Sequence, residues 1–216
     1  MTTAQVTETA SPRASRWGAV AGIAFVVFFV LRFVLLNTPD SDAPVEEWTE
    51  TFQDSGDRML SILGGYAMLL AGLAFLYFIW SLRSRFRLEE GASEGLSGLA
   101  FASGVVFVAM MFASGAAMST VAASVEFGDN PVPDGEFARQ LENLGFGLLL
   151  LYGMWAAGVS IVAFSGSALR TGAFPRWLAI AGIVVGVLVA LGGVIFIPMV
   201  LLLLWVLTVS VVSLRT

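Results

Sequence analysis

The sequence predicts an all-α fold, a polytopic transmembrane bundle of six helices with both termini cytoplasmic. Three observations predict it. The 216 residues are 57% hydrophobic and 12% charged, with a mean hydropathy of +0.86, against roughly 45–50% apolar and 25% charged in a soluble domain. The stretch 59–82 is apolar or small throughout and is followed at once by Arg83, Arg85 and Arg87, the pattern of a membrane helix with its cytoplasmic end labelled. Between Arg176 and Arg215 lie 38 residues without a charge, about 57 Å as one helix and nearly twice a membrane core, so that stretch must fold back as two spans.

The remaining elements are phased against these. Residues 1–15 are polar and small without apolar periodicity, and read as a disordered cytoplasmic tail ahead of a single domain over 16–216. The first span is 17–36, too long for a signal-peptide core and without a small-residue cleavage site behind it. The loop from Asp40 to Asp57 holds seven acidic residues and no basic one, which places it outside. Within it Val45, Trp48 and Phe52 share one helical face, predicting a short amphipathic helix on the outer membrane interface, with Asp42 as its cap and Pro44 in its first turn.

The second span is 59–82. The third, 96–123, carries Gly98, Ala102, Gly104, Ser114, Gly115 and Ser119; small residues let helix backbones approach closely in lipid, so it is expected to be central. After a second acidic loop containing Asn130, Pro131 and Pro133, a helix restarts near Asp134 and leads into the fourth span, 144–169. Gly172 can end that helix in the left-handed conformation and Pro175 can start the next. The fifth and sixth spans are 177–193 and 197–214, with the turn at Gly192, Gly193 and Pro198.

Charge supports this topology. Arg13, Arg16, Arg83, Arg85, Arg87, Arg170, Arg176 and Arg215 fall inside, Arg58 and Arg139 outside, and Arg32 within a span, while twelve of the sixteen carboxylates fall outside. That asymmetry is what the positive-inside rule requires. An internal echo also stands out: residues 16–23 and 176–183 match at six of eight positions, and both open an inside-to-outside helix. A duplicated hairpin and convergent interface chemistry both account for it.

The acidic first loop, Gly64-Gly65-Tyr66 opening the second helix, Trp80-Ser81-Leu82-Arg83 closing it, and Leu169-Arg170-Thr171-Gly172 followed by Pro175-Arg176-Trp177 together resemble a class of uncharacterised six-helix integral membrane proteins of actinobacteria, of the domain-of-unknown-function type. The resemblance covers nearly the whole chain after residue 16. It implies the fold and no activity.

The functional reading rests on what is missing. The chain has no Cys, no His and, since all eleven basic residues are Arg, no Lys. Thiolate and imidazole metal sites, a Ser/His dyad, bis-His haem ligation and a Schiff-base lysine are therefore unavailable. No carboxylate lies centrally in any span, which argues against a proton relay. Catalytic, cofactor and metal residues are accordingly assigned as none, and the protein is read as a non-enzyme. A net charge of −5 without a basic tract excludes nucleic acid. The expected partners are the lipid bilayer of the cell membrane and, through helix contacts, a further copy or another membrane protein. The function expected is that of a scaffold or accessory subunit; the alternative is a carrier or pore for a small neutral or lipidic solute, its path lined by such residues as Ser61, Ser103, Ser114, Ser160, Ser165 and Ser167.

Two groups of residues are candidates for special roles. Gly18-xxx-Gly22 and Gly182-xxx-Gly186 are helix-packing motifs, the latter with Ala190 also a possible homodimer face. Arg32 is the only charge inside a predicted span. Either it snorkels to the headgroups, or it pairs with Glu142 or Glu126, which stand at a similar height, and fastens the first helix to the bundle.

Overall fold

The computed structural model describes residues 12–90, 95–192 and 196–215, and every described element is helical. In chain order these are α1 (Pro12–Val34), α2 (Val45–Gln53), α3 (Ser55–Glu90), α4 (Gly95–Gly128), α5 (Gly135–Gly147), a π-helical turn (Leu148–Gly153), α6 (Met154–Thr171), α7 (Arg176–Leu191) and α8 (Ile197–Arg215). The expected disordered tail falls largely on residues 1–11, outside the described residues; residues 12–15 already belong to α1. Gly193 of the fifth predicted span also lies outside them.

Five helical stretches are long and apolar enough to cross a membrane: α1, α3, α4, the continuous helix from α5 to α6, and α8. The sixth apolar helix, α7, has 16 residues, about 24 Å. It begins after Pro175, and it ends at Gly192, whose N–H is bonded to the Leu188 carbonyl at 2.9 Å. Several helices run further than the apolar run alone predicts. The second span, expected over 59–82, is embedded in a 36-residue helix, because Asp54 accepts from the N–H groups of Gly56 and Asp57 at 2.8 and 3.1 Å and caps it early.

The long helices form a closed ring in the order α1, α3, α4, α6, α7, α8 and back to α1. Neighbours are antiparallel: Gly18 faces Ser81 and Gly64 faces Arg32, while Gly158 faces Ala190 and Gly182 faces Ser165. On α1 the buried residues Gly18, Gly22, Phe25, Phe29 and Arg32 recur at alternating steps of four and three and trace the layers of the interior. Gly18 and Gly22 admit Ser81, Phe78 and Ser210. Phe25 meets Phe75 and Phe107 with ring centroids 4.8 and 6.4 Å apart, and Phe75 meets Phe107 at 5.1 Å, so three helices fill the centre of the ring with aromatic rings. Two ends are distinguishable: an arginine end with loop 172–175, and an acidic end with loops 35–44 and 129–134.

Three expectations are corrected by packing. Helix α4 is a ring member like the others and not central; Gly98 has nothing within 4 Å of a would-be side chain, and Ala102, Ala109 and Ala113 are exposed. The Gly182 and Gly186 face points into the bundle. A Cβ on Gly186 would lie 2.8 Å from the Gly158 carbonyl oxygen, and one on Gly182 would lie 2.7 Å from the Trp205 indole nitrogen, so this surface is used by α6 and α8 and is closed to a second copy. Finally, α2 turns its apolar face into the protein and does not present it to a membrane surface. Its Trp48 and Phe52 are buried with Ile62, Val121, Ala122 and Ala138, residues of α3, α4 and α5, and Pro44 occupies the N-cap position without a side-chain cap bond from Asp42 or any other residue. These two side chains bury more completely in a protein groove than in the mobile headgroup layer.

The α6–α7 contact yields a pair of expectations. Gly186→Ile forces side-chain atoms against backbone and should cost about 1–3 kcal/mol or more, whereas Gly98→Ala, in open space within a helix, should stabilise by about 0.5–1 kcal/mol. Thermal unfolding in mild detergent measures both.

Candidate functional site

Arg32 comes from the inward stripe of α1 and is 2% exposed; Glu142 comes from the inward stripe of α5 and is 3% exposed. Nη2 of Arg32 lies 3.7 Å from Oε1 of Glu142 and donates to the thioether of Met118 on α4 at 3.2 Å. The space is opened by two glycines. A Cβ on Gly64 of α3 would stand 2.6 Å from Arg32 Nη1, and one on Gly145 of α5 would stand 3.0 Å from the Ser114 carbonyl oxygen. Ser114 in turn directs its hydroxyl at Met118 at 3.5 Å, and Ser61 donates to the Met118 carbonyl at 3.2 Å. Four helices thus converge on one guanidinium.

The arrangement answers the alternatives left by the sequence. Arg32 is turned inward and does not reach for the headgroups. Glu142 is beside it, and Glu126 is not: Glu126 accepts from Arg58 Nε at 2.9 Å. Arg58 also donates to the carbonyls of Phe52 and Gln53 at 3.0 and 2.8 Å, so it ties the C-terminus of α2 to α3 and α4. Gly135 brings α5 onto α2 by donating to the Thr49 hydroxyl at 3.1 Å. Together these contacts hold α2 and the start of α5 as a cover over the acidic end of the bundle, one helical turn beyond the ion pair.

Energetically the pair is held by exclusion of water more than by ideal geometry. Glu142 Oε1 has no hydrogen bond within the described residues, and a thioether is a weak acceptor for a guanidinium. Desolvating two charges costs several kcal/mol each, and only mutual attraction in a low-dielectric setting offsets it. Removing one partner would therefore strand the other.

The serines divide. Ser61 and Ser160 reach across to a neighbouring helix, Ser160 donating to the Ala100 carbonyl at 2.7 Å, and so knit the ring. Ser103 bonds back to Leu99 at 2.7 Å. Buried hydroxyls of Ser167, Ser210 and Ser213 have no partner among the described residues; all three lie in the arginine half, separated from the ion pair by the phenylalanine layer. Among the described residues no three His, Cys, Asp or Glu are grouped so as to hold a metal ion. Sequence reasoning missed Gly64, Met118, Gly145 and the clamp role of Arg58. For Arg32 a signal existed: it continues the stripe of Gly18, Gly22, Phe25 and Phe29, which fixes its direction. Comparison with protein-family models, curated protein sequences and solved structures finds no match to this chain.

The coupling of the two charges is directly testable. Arg32→Leu and Glu142→Leu should each lower stability by about 3–5 kcal/mol, with the double variant recovering most of that loss. A double-mutant cycle read by thermal unfolding in detergent measures it; additive losses would show that the two charges are not coupled.

Proposed function

We propose that this chain is a six-span integral membrane protein of the cell membrane, with both termini cytoplasmic, that acts as a non-enzymatic scaffold or accessory subunit through its lipid-facing helix surfaces. The observation that carries the reading is the closed interior. Phenylalanines from α1, α3 and α4 fill the middle of the ring, and the buried Arg32 is matched by a carboxylate. A carrier needs a polar or hollow path, and here the polar groups of the two halves are separated by aromatic side chains. Among the described residues none of the buried hydroxyls of Ser61, Ser114, Ser160, Ser167, Ser210 and Ser213 is hydrogen-bonded to a carboxylate.

Several features support the membrane part. The apolar helical bundle is consistent with an integral membrane protein, with five stretches of sufficient length. Trp17, Trp80 and Trp177 are 64%, 51% and 60% exposed and stand together at the arginine end, as an interfacial aromatic belt does. α7 crosses as the shortest span, its mismatch met by thinning of the bilayer and by its flanking aromatic residues. The resemblance to uncharacterised six-helix actinobacterial proteins agrees with this topology. Contact with a partner is assigned to α4, where Gly98, Ala102, Ala109 and Ala113 form a small-residue strip that no described element covers; such strips allow a foreign helix to approach closely.

Two measurements test the proposal. With Ser84→Cys as the sole thiol, labelling is expected from the cytoplasmic side only, and labelling from outside would refute the topology. A photocrosslinking residue in place of Ala109 is expected to trap a discrete protein adduct in intact membranes, and one in place of Val184 on α7 is not. Lipid adducts alone at both sites would refute the scaffold reading, and solute uptake into sealed vesicles would replace it with the carrier.

A further inference from the structure

The seam between α3 and α4 opens sideways as an apolar groove of about 320 Å³ in the acidic half of the bundle. Its floor is formed where Gly65 and Gly115 leave out side chains, and its walls include Leu69, Ala116 and Ala123. Ser119 and Tyr66 are the polar residues of its lining, and the Ser119 hydroxyl is already donated to the Gly115 carbonyl at 2.6 Å. The groove therefore offers mainly hydrocarbon contact, with the phenol of Tyr66 at its outer edge. Toward the middle of the bundle it is stopped by the Phe112 ring, which lies against Gly72. Beyond its other end, four residues before Ile62 and three after Ala123 of its lining, stands the Arg58–Glu126 pair, 2.9 Å apart with side chains 14% and 26% exposed, while Phe127 and Tyr66 of the lining are exposed.

We propose that this seam is a binding groove for one acyl chain of a zwitterionic phospholipid whose headgroup rests on Arg58 and Glu126. The proposal rests on the membrane reading above. Three considerations select the occupant. The first is length. Arg58 to Gly72 on α3 and Glu126 to Phe112 on α4 both span fourteen residues, about 21 Å. Gly72 is eleven residues from Arg83, about 16 Å, so it lies close to the midplane of a hydrocarbon core about 30 Å thick. The charged pair then stands about 6 Å beyond the core, within the headgroup layer, which adds about 5–8 Å on each side.

The second consideration is width. A cleft between two packed helices admits a single extended chain, whereas a partner helix is about 10–12 Å across and would ride over the seam without entering it. The third is charge. A phosphate with a neighbouring ammonium complements Arg58 with its neighbour Glu126, one charge for each. An anionic headgroup would leave Glu126 unmatched and would face the exposed carboxylates of Asp54 and Asp129.

The test uses the full chain reconstituted in vesicles doped with phosphatidylethanolamine that carries a diazirine midway along one acyl chain, with adducts mapped by mass spectrometry. Adducts are expected to concentrate on α3 and α4 around Leu69 and Ala116, several-fold above the exposed α8 face of Val200 and Leu204. Ala116→Trp, a change at an exposed position that fills the groove, should remove the excess and leave the α8 adducts and the thermal stability unchanged. A phosphatidylglycerol probe with the same chain should give a several-fold smaller excess. Even labelling around the bundle, or an excess that survives Ala116→Trp, overturns the site while leaving the membrane reading intact. Equal excess with both probes overturns the assignment of the headgroup. Absence of adducts on every helix overturns the membrane reading itself.

Discussion

The interior of this bundle is organised by the cost of leaving a charge without its counterpart in an apolar medium. Arg32 sits on the face of α1 that must be buried if Phe25 and Phe29 are to pack, so its guanidinium has no route to water. An isolated ion there would cost several kcal/mol. The carboxylate that offsets it comes from α5, which packs on α4 and continues into α6. From this follow Gly64, which leaves room for the guanidinium, Gly145, which lets α5 approach Ser114 and Met118 of α4, and the cover formed by α2 over the pair.

The cover solves a second problem. α2 has an apolar side of Trp48 and Phe52 on an otherwise acidic helix. Such a helix is marginal alone, since nine residues are too few to be stable without tertiary contacts. Packing against α3, α4 and α5 supplies those contacts, and Arg58 closes the arrangement by accepting nothing and donating three ways, to Glu126 and to two carbonyls that end α2. A residue that counts only as an outlying positive charge in the topology tally is thus what fastens the acidic loop to the bundle.

How much of this could be read from the sequence depended on whether the signal was local. The apolar runs were legible because span length is set by membrane thickness and each run carries its own count. The end of α6 was legible because Gly172 is a glycine with φ of 73°, a conformation that residue type favours, and Pro175 is a residue that cannot continue a helix. The destination of an amphipathic face was not legible: a stripe of Val45, Trp48 and Phe52 fits a headgroup layer as well as a protein groove, and only the tertiary arrangement distinguishes them. The same holds for small residues, since Gly182 and Gly98 look alike in sequence while one is enclosed by Ser165 and Trp205 and the other is open. The direction of Arg32 was encoded in its heptad-like spacing, but its choice of Glu142 over Glu126 depended on Arg58 having taken the other.

The π-helical turn at Leu148–Gly153 connects these levels. The buried residues Ala138, Glu142, Gly145 and Leu149 mark one face on the acidic side, and Met154, Ala157, Ile161 and Phe164 mark one face on the arginine side. Leu149 and Met154 are five residues apart, and the Met154 N–H is bonded to the Leu149 carbonyl, so a single wide turn brings them into line. In an unbroken α-helix the step from Leu149 to Met154 would carry Met154 about 140° past Leu149, while the buried Gly153 would stay within about 40° of it, because each residue advances the helix by about 100°. With the second face packed on α4 and α7, the wide turn sets the direction of the first face and of Glu142 with it. Such a turn is a rare local irregularity with weaker hydrogen-bond geometry than the α-helix. Here it allows one continuous helix to satisfy two unrelated demands: close packing of small residues in one half of the bundle, and delivery of a carboxylate to a buried guanidinium in the other.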